Sequence, residues 1–246
     1  MNATMYKVLS GAIAQMRRLE VVSENLANVN TIGHKGGHVA FTEVLAEASQ
    51  QKGRPGGFVA VGEQRTDFSQ GILQQTGNPL DLAIDGEGFF VIGTARGARY
   101  TRQGNFTRAG DGTVMTLLGE PLLGETGPIR VPGKDVQITP EGTVVTEEGK
   151  VGKLQIVRFA DPRTLTKEGQ GLFRAPDGAA QPAAVPAGRI GAGGNVLQGY
   201  VEEANVTPID AMVSLITTQR QFDMYTRALK TIDAATEKVL NEAARL

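Results

Sequence analysis

From Thr207 to Leu246 the chain contains no glycine, and its one proline stands second in the stretch. Thr207 suits a helix cap, Pro208 suits the first helical position where no N–H is needed, and Asp210 follows three residues after the cap. Apolar side chains then recur in steps of three and four: Met212, Leu215 (with Ile216), Phe222, Tyr225, Leu229, Ile232 and Val239, with Gln219 and Thr236 filling two turns. The spacing predicts one amphipathic helix of roughly 57 Å at about 1.5 Å per residue. Ordering such a helix costs about 1–2 kcal/mol per residue. Burying its stripe returns about 1.5–3 kcal/mol per side chain. A long terminal helix of this kind therefore persists only where something covers the stripe, either the same chain or neighbouring copies.

A second amphipathic stretch opens the chain. Met5, Val8 (with Leu9), Ala12, Met16, Leu19, Val22 (or Ser23), Leu26 and Val29 alternate threes and fours over residues 2–30, and Gly33 offers a stop. The small residues in this stripe allow close helix approach. Between the two helices the pattern changes to period two. Leu80, Leu82 and Ile84 alternate with Asp81, Ala83 and Asp85, and Gly86-Glu87-Gly88 turns the chain into the apolar run Phe89–Ile92. Further short strands are expected at 99–101, 106–108, 114–117, 136–138, 143–146 and 154–159, with Asp111-Gly112, Glu141-Gly142 and Glu148-Gly149 as turns. Gly53-Arg54-Pro55-Gly56-Gly57 reads as a linker, and 176–194, rich in Pro, Ala and Gly, as a returning loop.

The expected fold class is α+β: long N- and C-terminal helices paired as a coiled-coil-like inner domain, with a β-rich central domain inserted. The expected divisions are 1–33 (first helix), 34–80 (linker and extended segment), 81–184 (β-rich domain), 185–204 (returning segment) and 205–246 (last helix).

Composition narrows the function classes. A formal net charge of −1 with 21% charged residues gives no global field for nucleic acid or anionic lipid. With no cysteine, disulfides, thiolate chemistry and Cys-ligated zinc are excluded. No apolar run is long enough to span a membrane, and the first thirty residues, interrupted by Arg17, Arg18 and Glu20, do not read as a signal peptide.

Four arrangements in the sequence bear on chemistry. Gly86-Glu87-Gly88 lacks the third glycine of a dinucleotide loop, since Val91 stands there. His34 and His38 have the spacing of two ligands on one helix face, but Gly36 and Gly37 separate them and no third ligand is near in sequence; exposed linker histidines are expected. Asp81, Asp85 and Glu87 read as solvated turn acids rather than a catalytic pair. Arg99, Arg102 and Arg108 read as a solvated hairpin face. No catalytic, cofactor-binding or metal-binding residue is assigned, and no enzyme activity is expected.

The segment Ser23-Glu24-Asn25-Leu26-Ala27-Asn28-Val29-Asn30-Thr31-Ile32-Gly33-His34-Lys35 resembles the N-terminal signature of the bacterial flagellar rod and hook family. Asn25, Leu26, Ala27, Asn28, Thr31, Gly33 and Lys35 match; Glu24 and His34 depart from it. Asp67–Leu73, Thr76–Ile84, Gly86–Ile92, Tyr100–Phe106 and Leu197–Val206 resemble the family's central and C-terminal signatures, so the likeness runs end to end. It implies an axial component of the flagellar basal-body rod. Its terminal helices would polymerise into a tube around an export channel, with the β-rich part outside. The partners implied are copies of itself, other flagellar rod proteins and the flagellar type III export apparatus, at the periplasmic rod and without a cleaved signal. Short spacing from Glu43 to Phe68, with 127–132, 171–174 and 206–212, resembles the proximal-rod type; the distal-rod or hook type is the alternative within the family. A soluble binding module with a terminal coiled coil is the alternative from another class. The expected subunit-interface residues are Met5, Val8, Met16, Leu19, Leu26, Asn28, Met212, Leu215, Phe222, Tyr225, Leu229, Ile232 and Val239.

Overall fold

The computed structural model describes residues 3–45, 57–133, 135–176, 183–184 and 194–243. It is an α+β chain with one helix near each end and a β-rich region between. Contacts divide it into two units, the first holding 1–27, 37–66 and 206–246 and the second 28–36 and 67–205.

The first unit is built on α1 (Ala3–Ala27) and α2 (Pro208–Ala243). Thr207 starts α2 as its sequence predicts: its hydroxyl accepts the Asp210 N–H at 3.2 Å and donates to the Asp210 carboxylate. The two helices pack together antiparallel. Gly11 faces the Tyr225 ring so closely that a Cβ there would lie 2.5 Å from it. Nearer the other end, Val21 and Val22 share a groove of about 390 Å³ with Val206 and Ala211. The absence of a side chain at Gly11, with Ala12 and Ala14 buried beside it, is what lets the helices approach.

The stretch read as linker and extended segment contains a long antiparallel hairpin. β1 (Gly37–Leu45) pairs with β2 (Gly57–Thr66) from Gly37 opposite Thr66 to Leu45 opposite Gly57, with a register shift between Val39 and Phe41. The Gly-rich run 53–56 lies outside the described residues. Asn25 fixes the start of β1 to α1, because its amide donates to the Gly37 carbonyl at 2.7 Å and accepts the Gly37 N–H at 2.9 Å.

The second unit contains β3 (Leu73–Gln75), β4 (Leu82–Asp85), β5 (Phe89–Thr94) and β6 (Gly97–Thr101). A six-stranded antiparallel sheet runs in the order 166–169, 172–174, β6, β5, 156–158, 183–184. The apolar run of β5 is continuous because the strand is covered on both sides. Phe90 and Ile92 point into a core with Leu82, Ile84, Phe106 and Val196, while Phe89 and Val91 point into a second core with Tyr100, Phe159 and Phe173. A three-stranded sheet (136–138, 143–146, 149–153) flanks the first core. Two late strands close the unit, since 195–198 pairs with β4 and 200–202 with β3. Gly86 and Gly88, with φ of +98° and +146°, make the turn between β4 and β5. Of the returning loop 176–194, nearly all lies outside the described residues.

Candidate functional site

Two arrangements stand out, one in each unit. On α2, the side that meets α1 carries Ala211, Leu215, Thr218, Phe222, Tyr225 and Leu229, all buried or half-buried. At about 100° per residue, a second apolar set lies roughly 150° away round the same helix. Ile209, Met212, Val213 and Ile216 form it, exposed by 75%, 53%, 56% and 52%. α1 repeats the pattern. Gly11, Val22 and Leu26 lie on its covered side, while Leu9, Ile13 and Met16 are exposed by 41–43% on the opposite one. Each helix is thus apolar on two faces, with one face covered by its partner and the other bare. Helices with two apolar faces are ordinarily buried on both.

The residues expected at a subunit interface divide between these faces. Met5, Val8, Leu19 and Leu26 on α1, and Leu215, Phe222, Tyr225, Leu229 and Ile232 on α2, are half-buried; Met16 and Met212 are exposed. Val239 is helical, but its side chain lies outside the described residues. Asn28 lies in the turn after α1, where its carbonyl accepts the Thr31 N–H at 2.9 Å. Spacing in threes and fours selected one stripe per helix, with Leu9 and Ile216 set beside it, and so missed Ile209, Val213 and Ile13.

In the second unit, three ionisable side chains meet in a buried cluster. The Glu202 carboxylate lies 2.5 Å from Lys35 Nζ and 3.2 Å from Arg102, with side-chain exposures of 0%, 0% and 5% respectively. It also accepts the Gly71 N–H at 2.9 Å. Lys35 donates in addition to the Ser69 carbonyl, and Arg102 to the carbonyls of Ile84 and Gly86, its guanidinium 5.4 Å from the Phe89 ring centre. Burial pulls the Lys35 ammonium below the usual lysine range against the opposing pull of Glu202, and it acts on Arg102 in the same direction. Around the cluster, Gly33 N–H donates to the Glu202 carbonyl. Asn205 accepts the Gly36 N–H through its side-chain oxygen and donates to the carbonyls of Asp67 and Ser69. Gly33 has φ +68°, and a Cβ there would stand 2.5 Å from the Arg102 backbone. The polar signature residues 33–36 and 202–205 are therefore fasteners of the β unit.

The structure corrects several expectations. Arg99 and Arg102 are buried rather than solvated; Arg99 pairs with Glu168 at 2.6 Å, and only Arg108 of the three is exposed. His34 is buried, though His38 is exposed. Asp81 is buried and bonded to Thr76 and Asn78, while Glu87 on the surface pairs with Arg158. Among the described residues, no group of three metal-ligating side chains is gathered and no helix is long and apolar enough to cross a membrane.

Comparison with known proteins gives three family matches in chain order. These are flagella basal body rod protein at residues 5–35, the flagellar hook protein FlgE/F/G D1 domain at 83–151, and the flagellar basal body rod FlgEFG protein C-terminal region at 197–242. Each match contributes one member of the buried cluster: Lys35, Arg102 and Glu202. The chain is 33% identical to the flagellar basal-body rod protein FlgG of Agrobacterium fabrum, over 91% of this chain and 93% of that protein. It is 31% identical to the FlgF rod protein of Mesorhizobium japonicum, over 91% and 90%, and 30% identical to FlgF of Salmonella typhimurium, over 95% of each.

Proposed function

Since the chain belongs to the flagellar basal-body rod protein family, we propose that it is a structural subunit of the rod, incorporated through α1 and α2 into the tubular shaft that motility requires. The observation that carries this reading is the second apolar face on each helix. Leu9, Ile13 and Met16 on one helix and Ile209, Met212, Val213 and Ile216 on the other remain in water after the intrachain pairing is complete. At about 25 cal/mol per Å² of apolar area removed from water, neighbouring subunits gain by covering them. Contacts between unlike surfaces that do not close into a ring propagate as a helical array.

In this reading the partners are copies of the chain and other rod proteins. It is delivered to the periplasmic part of the basal body by the flagellar type III export apparatus, without cleavage of a signal. The role is mechanical and requires no catalytic group. Relatives of both FlgF and FlgG type match at 30–33% identity. The short spacing from Glu43 to Phe68 supports the proximal type.

Replacing Val213 with Asp tests the reading, because the residue is exposed and its change leaves both cores untouched. The variant is expected to keep its far-UV circular dichroism and thermal transition, yet to be absent from purified basal bodies and to leave cells non-motile. Normal swimming by V213D cells would remove the bare face from the argument.

A further inference from the structure

We infer that Asn25 and Asn205 lock the glycine pair Gly36-Gly37, where the chain passes from the second unit to the first, so that this link keeps one backbone conformation and carries rotation along the chain. The lock itself is geometric; its use in carrying rotation rests on the rod-subunit reading.

Two glycines in succession are the composition of a flexible joint, since glycine takes either sign of φ at little cost. Here every backbone polar group of the pair is bonded, and three of the four bonds go to asparagine side chains. The Gly36 N–H donates to Asn205 Oδ1 at 2.7 Å, and the Gly36 carbonyl accepts the Asp67 N–H at 2.8 Å. The Gly37 N–H donates to Asn25 Oδ1 at 2.9 Å, and the Gly37 carbonyl accepts from Asn25 Nδ2 at 2.7 Å. Both glycines are buried, where an unpaired backbone group is costly. A carboxamide suits the task because it carries donor and acceptor on one short planar group, so Asn25 clasps the N–H and the C=O of a single residue. Each asparagine acts within its own unit, Asn25 in the first and Asn205 in the second.

The return link is tied in as well. The chain re-enters the second unit between Thr66 and Asp67. Gly37 stands opposite Thr66 in the β1–β2 ladder, and Gly36 bonds Asp67. Asn205 also donates through its side chain to the carbonyls of Asp67 at 2.9 Å and Ser69 at 3.2 Å, and through its backbone N–H to the His34 carbonyl at 3.3 Å. Within the second unit, the chain ends at 36, 67 and 205 are therefore bonded through one residue. A pull on any of them is shared by the other two.

Amide exchange in the purified full chain reads the lock directly. Asn205→Ala is expected to speed exchange at Gly36, and Asn25→Ala at Gly37, each roughly tenfold, the factor that one lost hydrogen bond allows. In cells, both variants are expected to reach basal bodies in the parent's amount and to swim more slowly than the parent in viscous medium. Gly37→Ala added to Asn25→Ala is expected to restore swimming, because alanine withdraws the freedom of glycine without replacing the lost bonds. Gly37 lies in strand backbone, and a Cβ there would meet the far end of the flexible Gln64 side chain at 3.0 Å, so alanine fits. Unchanged exchange at Gly36 and Gly37 overturns the lock. Slow swimming that Gly37→Ala fails to relieve overturns its part in carrying rotation. Should Asn205→Ala fail to fold, Asn25→Ala in the other unit decides both points. Variants missing from basal bodies would assign the two residues to assembly instead, against the proposal. Absence of the unsubstituted chain from basal bodies would sink the rod reading, while the exchange result still decides the lock.

Discussion

Among the described residues, Glu202 is the carboxylate bonded to both buried cations, and its removal should be among the most damaging changes possible in the β unit. In Glu202→Gln the side-chain shape is kept, and the oxygen facing Gly71 can still accept its N–H. The charge that offsets Lys35 and Arg102 is gone, however, and an amide N–H now points at one of them. Removing one partner of a buried pair costs about 3–5 kcal/mol, and here two cations with side-chain exposures of 0% and 5% lose the carboxylate they are bonded to, leaving only the more distant Asp67 and Glu87 to offset them. For a chain of this size about 1 kcal/mol moves Tm by roughly 2–4 °C, so the variant should melt about 6–20 °C lower. The chain has no tryptophan, so far-UV circular dichroism with tyrosine fluorescence is the suitable readout. Adding Lys35→Met to Glu202→Gln should recover part of the loss, because one stranded charge is replaced by an apolar chain of similar length. The electrostatic account is refuted if Glu202→Gln lowers stability by less than about 1 kcal/mol, or if Lys35→Met in that background destabilises further.

Three other changes probe separate features. Gly11→Val would drive a branched side chain into the Tyr225 ring, which a Cβ alone already approaches to 2.5 Å; overpacking of about 1–3 kcal/mol is expected, partly relieved by Tyr225→Ala, as read by thermal melting of the helical signal. Thr207→Ala removes the cap that accepts the Asp210 N–H and should cost about 1 kcal/mol, with increased amide exchange confined to the first turn of α2. The bond from Arg99 holds the Glu168 carboxyl below the usual glutamate range, so its contribution is present at neutral pH and is lost as pH falls through that lowered value. Glu168→Gln should flatten the acid limb of a Tm-against-pH curve, and an unchanged limb would show that the pair contributes nothing.

Much of this architecture is written locally in the chain. The three-and-four spacing marked both helices, and Thr207-Pro208-Ile209-Asp210 marked the start of α2 to the residue. The run Phe89–Ile92 and the alternation at 82–84 marked strands because local burial dictates local pattern. What escaped was set by partners far away in sequence. β1 and β2 are mixed in polarity, and the glycines between them read as a linker. Arg99 and Arg102 look solvated until Glu168 and Glu202, 69 and 100 positions later, come to meet them. A single-stripe reading of α2 also grouped Met212 with Leu215; the two sit about 60° apart round the helix, Leu215 toward the covered side and Met212 out in water.

The closing role of strands 195–198 and 200–202 has a consequence for when the β unit can form. Among the described residues, the strands paired with β4 and β3 are those last two, and Lys35 and Arg102 wait on Glu202. A polypeptide emerging amino end first, from a ribosome or any narrow passage, must release four-fifths of its length before the keystone arrives. Until then it travels with two open strand edges and two unneutralised cations, a condition that favours delay over premature set.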